Sequence, residues 1–349
     1  VLKHWRVILV GALVSGAAII LIAAQIDFAL LLQALRDANY WMVIPGAVIA
    51  VIGLAARAQR WRVLLDGGLS YRRSFHILNI SYLLNGLLPL RIGEVARAWL
   101  ASRGTDSVPF LRSASTIVIE RVTDLLTVVG FIAVGLVIAG DQVPPELRAA
   151  GLGSGIMAGA AFIVLVFFAG QRRLARRVLG FFTARVPLLR RLNVEAWFEH
   201  LLDGLMPLTR FGSLIRVLLW TLISWAFSLL SGYALMFVFY PEGDPVATLL
   251  FIAAASFAVA LPAIPGNIGP YEGSIIFALG AVGYTTDAAG FATATAFAFM
   301  VHLVNLAVNA VLGVIGFVAE GVSLEQITQG VQQVRSEDAQ EVETFDTRG

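Results

Sequence analysis

The sequence predicts an all-α integral membrane fold, with about six spanning helices plus two re-entrant helical hairpins arranged as an inverted repeat. Three observations predict it. Of the 349 residues, 58% are hydrophobic and only 14% are charged, whereas a soluble domain averages roughly 25% charged residues. Missing charge on this scale means that much of the surface faces hydrocarbon. The apolar residues also fall into runs close to the roughly 20 residues that a helix needs to cross a bilayer. Finally, two apolar stretches break at a proline and resume as short helices, at matched places in the two halves of the chain.

Taken in order, Val7–Ala24 follows Lys3 and Arg6. It exceeds the roughly 7–15 apolar residues of a secretory signal, so it reads as a retained first span. Trp41–Arg60, Ser113–Ala139, Ala149–Gly170, Leu214–Phe239 and Ala288–Ala319 supply five more spans. The last is long enough to tilt, to bend near Gly313 and Gly316, or to leave the membrane. Ser74–Pro89 runs directly into Arg91, Glu94 and Arg97, and Pro245–Pro265 into Gly266, Asn267, Gly269 and Pro270 before Gly273–Thr286. Each reads as a helix–break–helix hairpin that returns to the side it entered. Broken backbone at membrane depth is tolerated only where protein or a watery cavity surrounds it.

Loop charge sets the orientation. Arg57, Arg60, Arg62, Arg72, Arg73, Arg103 and Arg112 surround the first hairpin, and a second basic run extends from Arg172 to Arg191. The loops at 25–40, 140–148 and 240–246 carry only Arg36 and Arg148. The positive-inside rule then puts the basic loops and both termini in the cytoplasm, as expected for a multi-pass protein of the cell inner (cytoplasmic) membrane. The two hairpins enter from opposite sides. Their breaks also match in sequence: Pro89-Leu-Arg-Ile-Gly93 against Pro265-Gly-Asn-Ile-Gly269, with Glu94 and Glu272 just beyond. Inverted repeats with broken helices are a transporter signature, with the site near the midplane.

The expected organisation is a polytopic domain over 1–320 and an acidic, disordered cytoplasmic tail over 321–349. Within the domain, 171–212 is a basic amphipathic segment on which Trp197, Leu201, Leu205 and Leu208 recur at helical spacing. It is expected along the cytoplasmic interface. Gly151, Gly155 and Gly159 form a double G-x-x-x-G, a close-packing face within the monomer or between two monomers of a homodimer.

Ionisable groups inside spans are costly, so each is a functional candidate. Glu120 and Asp124 stand four apart on one helix face, extended by Thr116, Thr123 and Thr127, with Arg121 adjacent. Such a stripe lines a hydrated cavity or forms a buried ion-pair network that locks helices. Arg57, Arg91, Arg97 and Arg121 could converge on a phosphate, since guanidinium binds it bidentately. Glu94 and Glu272 sit in first helical turns, where the helix dipole favours a carboxylate in any case. Arg57 and Arg60 could equally extend their charges towards the interface. His302 and Asn305, with Asn309, share one face of the last span. Asn267 lies at the second break. The chain has no cysteine, which excludes disulfides and thiolate chemistry. No nucleotide loop or metalloenzyme motif stands out, so no catalytic residue, cofactor, metal or nucleic-acid partner is expected.

Leu88-Pro-Leu-Arg-Ile-Gly-Glu-Val-Ala-Arg-Ala-Trp99, Glu120-Arg-Val-Thr-Asp-Leu-Leu126 and Pro265-Gly-Asn-Ile-Gly-Pro-Tyr-Glu272 together resemble the three signature stretches of the lysylphosphatidylglycerol synthase transmembrane region, also called the flippase-like domain. The resemblance extends from about residue 5 to 320. It implies a polytopic helical domain that flips or accommodates modified phospholipids. Longer members carry a following aminoacyl-transferase domain that this sequence does not show. Relatives are also linked to hopanoid transport and to archaeal glycolipid steps. Leu90 stands where many relatives have glycine, a change expected to stiffen the first hairpin tip.

Residues and resemblance together point to a flippase or scramblase-like transporter. Its partner would be a membrane lipid with an anionic phospholipid or lipid-linked head group. The alternatives are a membrane enzyme transferring a group onto a lipid carrier and an accessory subunit delivering lipid to another protein. Transport would show as faster lipid exchange in vesicles, the enzyme as product from a soluble donor, and the accessory role as activity restored by a partner.

Overall fold

The computed structural model describes residues 5–88, 91–104, 106–138, 140, 145–185, 202, 205–260 and 265–332. No strand forms among the described residues. The helices are α1 (Trp5–Ala23), α2 (Phe28–Asp37), α3 (Val43–Leu64), α4 (Tyr71–Leu87), α5 (Ile92–Ala101), α6 (Phe110–Ile138), α7 (Pro145–Gly170) and α8 (Arg172–Arg185). After the basic segment come α9 (Phe211–Met236), α10 (Pro245–Ala260), α11 (Pro270–Ala281) and α12 (Ala288–Glu320). A last helix, α13, covers 324–332. Five helices are long and apolar enough to cross a membrane, and six if α1 and α2, bent by 88°, count as one broken span. Large apolar side chains stay outside, Val318 at 79% and Phe277 at 78% exposure. Hydrocarbon is the solvent that tolerates such a surface, and the protein is a multi-pass membrane protein.

Between helices in lipid, apolar burial itself drives little, so close backbone approach and polar contacts hold the bundle. α3 lies along α9 at the centre. α4 packs on α12, and α10 on α6. α5 sits between α4 and α6, and α11 between α10 and α12. Exchanging α3–α6 for α9–α12 leaves this set of neighbours unchanged. α1 covers the second hairpin along α11, and α7 leans on α6.

The two breaks share a backbone conformation. Arg91 and Asn267, at the same place in the P-x-[RN]-I-G motif, are both left-handed, with φ of 51° and 54°. Each motif ends in a glycine for a steric reason. A Cβ on Gly93 would meet the Ser81 carbonyl oxygen, and a Cβ on Gly269 (φ 98°) would stand 2.7 Å from the Ser15 carbonyl of α1. The breaks also touch each other. Gly266 lies beside the Gly86 carbonyl, and the Arg91 guanidinium donates to the carbonyl of Val259.

Several expectations are corrected. α12 runs unbroken past Gly313 and Gly316. Both glycines press against α4, where a Cβ would meet Leu83 and the His76 carbonyl, so they serve close approach rather than a bend. The 25–40 loop contains α2, started by the Asp27 carboxylate accepting from the backbone of Ala29 and Leu30. α2 then packs on α12. Of the G-x-x-x-G face, Gly151 and Gly155 seat Leu136 and Ala133 of α6 within the same chain, while Gly159 meets nothing. Leu205 and Leu208, with Leu202, turn their side chains onto the protein, buried in one cluster with Ala169, Ala175 and Val217. Trp197 and Leu201 lie outside the described residues. The segment from 324 is packed, because Ile327 and Val331 are buried beside Trp99 and Trp61. The acidic residues beyond 332, and Leu90 at the first tip, lie outside the described residues.

Candidate functional site

Polar side chains from α3, α5, α6 and α9 meet in one buried ladder. Arg97 of α5 grips Glu120 of α6 with two hydrogen bonds, at 2.6 and 3.1 Å. Arg60 of α3 grips Asp124 one turn further along α6, at 2.6 and 3.2 Å. The Arg60 Nε stands 3.8 Å from Glu120, which links the two pairs. Planar guanidinium and carboxylate match in this two-point geometry, the strongest form of the contact. Aromatic rings close the ladder. The Arg97 guanidinium stacks 3.8 Å from the Trp61 ring centre. Trp61 Nε1 donates to Thr116 at 3.0 Å, and Trp225 Nε1 donates to Asp124 at 3.2 Å. Arg60, Arg97 and Glu120 are all 1–2% exposed.

A second group opens to the outside at the first break. Glu94, in the first turn of α5, lies 3.9 Å from Arg91 and 3.6 Å from Arg121. These distances are charge contacts, longer than hydrogen bonds. One carboxylate therefore serves two half-exposed guanidinium groups.

Arg57 stands between the halves. Its Nη2 donates to Ser228 of α9 at 3.1 Å, and its guanidinium faces Trp225 at 5.4 Å. Asp124 and Tyr271 both lie within its electrostatic reach. Among the described residues it makes no ion pair.

The third group belongs to the second hairpin. Glu272 accepts from the Gly269 backbone at 2.7 Å and meets His302 Nδ1 at 2.5 Å. The Tyr271 ring stacks on the His302 imidazole at 4.3 Å. Asn305 donates to the Tyr271 hydroxyl at 3.3 Å. Asn267 forms the left-handed turn above them.

Of the four arginines expected to converge on an anion, Arg97 turns away, because Glu120 and Trp61 occupy its guanidinium. Glu120 and Asp124 form the locking network rather than an open wall. Arg57, Arg91 and Arg121 keep spare hydrogen-bonding capacity. Arg60 carries half of the network, so of the two roles its sequence position allows it does not take extension to the interface. Its spacing of three from Arg57, which puts both on one helix face, is the signal that could have found it. Trp61, Trp225 and Tyr82, which faces Arg60 and Arg121 from α4, carried no such signal.

Among characterised proteins, the chain is similar to a protein from Haloferax volcanii described as "Glycosyltransferase AglD", at 26% identity over 363 aligned positions. The match covers 94% of this chain and 57% of that relative, so the chain spans little more than half the relative's length. No solved structure matches. The description "Lysylphosphatidylglycerol synthase TM region" matches residues 8–313, which pass through the ladder, both breaks and the His302 group, and the chain belongs to that family.

Proposed function

We propose that this protein is a lipid flippase or scramblase-like transporter. It binds the anionic head group of a phospholipid or lipid-linked carrier between its two hairpin breaks and moves it between leaflets, with the acyl chains left in lipid. The observation that carries this reading is Arg57, a guanidinium among membrane helices that makes no ion pair among the described residues. Around the ladder, Arg57, Arg60, Arg91, Arg97 and Arg121 bring five positive charges against three from Glu94, Glu120 and Asp124. Two of those charges want an anion, because an uncompensated guanidinium among membrane helices is costly. Among the described residues Arg57 contacts a hydroxyl and an indole and makes no ion pair, with Asp124 in reach of its field but gripped by Arg60, and Arg91 and Arg121 divide one carboxylate. A phosphate oxygen cluster supplies the missing acceptors.

Further support comes from the matched neighbours of α3–α6 and α9–α12 and from the shared left-handed turns at Arg91 and Asn267. These are what an inverted repeat with its site at the repeat interface requires. The basic loops support an orientation with both termini cytoplasmic in an inner membrane.

The test is exchange of fluorescent anionic phospholipids in proteoliposomes. Protein-containing vesicles should equilibrate the probe between leaflets faster than empty ones, and Arg57→Ala should cut the added rate by about tenfold, the loss of roughly 1.4 kcal/mol of charge-assisted binding. Equal rates in loaded and empty vesicles, across several anionic lipids, would overturn the proposal.

The name of the Haloferax relative favours a second reading, transfer of a group onto a lipid carrier. Lipid product formed by purified protein from a soluble sugar donor, with no acceleration of lipid exchange, would establish that reading instead.

A further inference from the structure

We infer that Glu272 and His302 form a proton-binding site that couples head-group movement to protons, an inference that rests on the transport reading above. Nothing in the binding of a phosphate requires this pair. It lies on the second hairpin, it makes no ion pair with an arginine among the described residues, and it is buried. Glu272 is 1% and His302 5% exposed.

The geometry defines what the pair does with protons. Glu272 Oε1 and His302 Nδ1 are 2.5 Å apart, so one proton lies between them. Glu272 Oε2 is occupied by the Gly269 backbone N–H at 2.7 Å. The group open to a second proton is the other ring nitrogen of His302, Nε2. Loading it changes the net charge of the pair from minus one to zero. Tyr271, stacked on the imidazole, holds the ring in place, and Asn305 holds Tyr271.

The surroundings give that change a consequence. α10 carries no ionisable side chain, α1 only Arg6 near its start, and α12 apart from His302 only Glu320 at its far end. α9 has none between Arg216 and Tyr233, and α2 adds Arg36 and Asp37, both exposed. α4 carries Tyr71, Arg72, Arg73, His76 and Tyr82, with Arg73 paired to Glu320, and α3 carries Arg57, Arg60 and Arg62, with Arg60 paired to Asp124. Arg57 is the cation whose field reaches Tyr271 at the pair. With the pair at minus one, Arg57 is partly balanced and holds a second anion weakly. With the pair at zero, its charge is left for the head group. Proton and anion therefore favour each other's binding, and the coupling is reciprocal. They cross together, bind on the side where protons are abundant, and leave together on the other.

The experiment uses wild-type protein in vesicles of phosphatidylcholine with a fluorescent phosphatidylglycerol probe, and potassium with valinomycin to hold the voltage at zero. A gradient of one pH unit, acid outside, is imposed. With one proton per head group, the probe should accumulate in the inner leaflet by up to about tenfold, since one pH unit is about 1.36 kcal/mol. A trapped pH dye should report acidification that follows the probe. Glu272→Gln and His302→Gln should each bring the ratio of leaflet distributions with and without the gradient to one. An even wild-type distribution under the gradient, with exchange still faster than in empty vesicles, overturns the coupling and leaves the transport reading standing. Exchange no faster than in empty vesicles overturns both. Full accumulation by Glu272→Gln also overturns the coupling. Where a variant does not fold, the wild-type gradient result decides alone.

Discussion

Replacing Glu120 by glutamine isolates the charge that the ladder depends on. The side chain keeps its shape and one carbonyl acceptor, but it no longer neutralises Arg97, which it holds at 2.6 and 3.1 Å, or supports Arg60 at 3.8 Å. Removing one partner of a buried pair costs about 3–5 kcal/mol, because the other charge is left without compensation. The amide oxygen retains one hydrogen bond from Arg97, which offsets about 1 kcal/mol. The net loss expected is about 2–4 kcal/mol of stability. Thermal unfolding of purified protein in detergent measures it. Tryptophan fluorescence is the natural signal, since Trp61 stacks on Arg97 and Trp225 donates to Asp124. The double variant Arg97→Met with Glu120→Leu removes both charges and should recover most of the loss, because a well-packed apolar pair replaces a buried ion pair at little cost. If Glu120→Gln melts with the wild type, the ladder does not hold α3, α5 and α6 together. If the double variant melts as early as the single one, charge is not the reason.

Three further outcomes are expected. Gly93→Ala drives a methyl group into the Ser81 carbonyl oxygen of α4, so it should lower the melting point by an overpacking cost of about 1–3 kcal/mol, and an unchanged melt would show that the first hairpin has room. Burial, then the Asp244 carboxylate, pushes the Tyr284 phenol up to about 12. A raised folded value keeps its stabilisation intact below the ordinary value of roughly 10 and loses it as pH climbs towards 12, so wild type should lose more stability over that window than Tyr284→Phe in alkaline melts, and parallel curves would refute the link. Ile327→Asp places a charge among Trp61, Trp99 and Val331 and should release 324–332 to protease attack in mild detergent, whereas an unchanged digestion pattern would mean that the contact is not closed in solution.

Much of this fold is legible in the sequence because a bilayer imposes a crude rule. Runs such as Leu214–Phe239 and Ala288–Ala319 sit within a few residues of α9 and α12, since each is long and apolar enough to cross a bilayer. α2 and 324–332 do not stand out in the sequence for the opposite reason. They are too short to span a bilayer, and they are held by a cap at Asp27 and packing on α12, or by two buried side chains, Ile327 and Val331. The candidate site was legible by residue type and not by pairing. Glu120, Asp124, Arg97 and Arg121 announced themselves as ionisable groups in apolar helices. Which arginine meets which carboxylate is decided by how α3 and α5 dock on α6, a tertiary fact that spacing within one helix cannot contain. Arg57 and Arg60 show this most directly. They are three residues apart on α3, yet Arg60 points into two carboxylates and Arg57 towards α9 and the second hairpin. Glu272 stands where the sequence predicts a first-turn carboxylate, a place the helix dipole favours whether or not it serves a site. It does cap the turn at Gly269, but it uses its second oxygen on His302, thirty residues away.

The most direct measurement is a density map of the protein in nanodiscs rich in phosphatidylglycerol. A lipid bound between the hairpin breaks should place phosphate density within hydrogen-bond distance, about 3 Å, of the Arg57 guanidinium, with its tails leaving towards the surrounding lipid. Phosphate density confined to the lipid around the rim, with Arg57 turned onto a carboxylate of its own chain, would contradict the binding of a head group there.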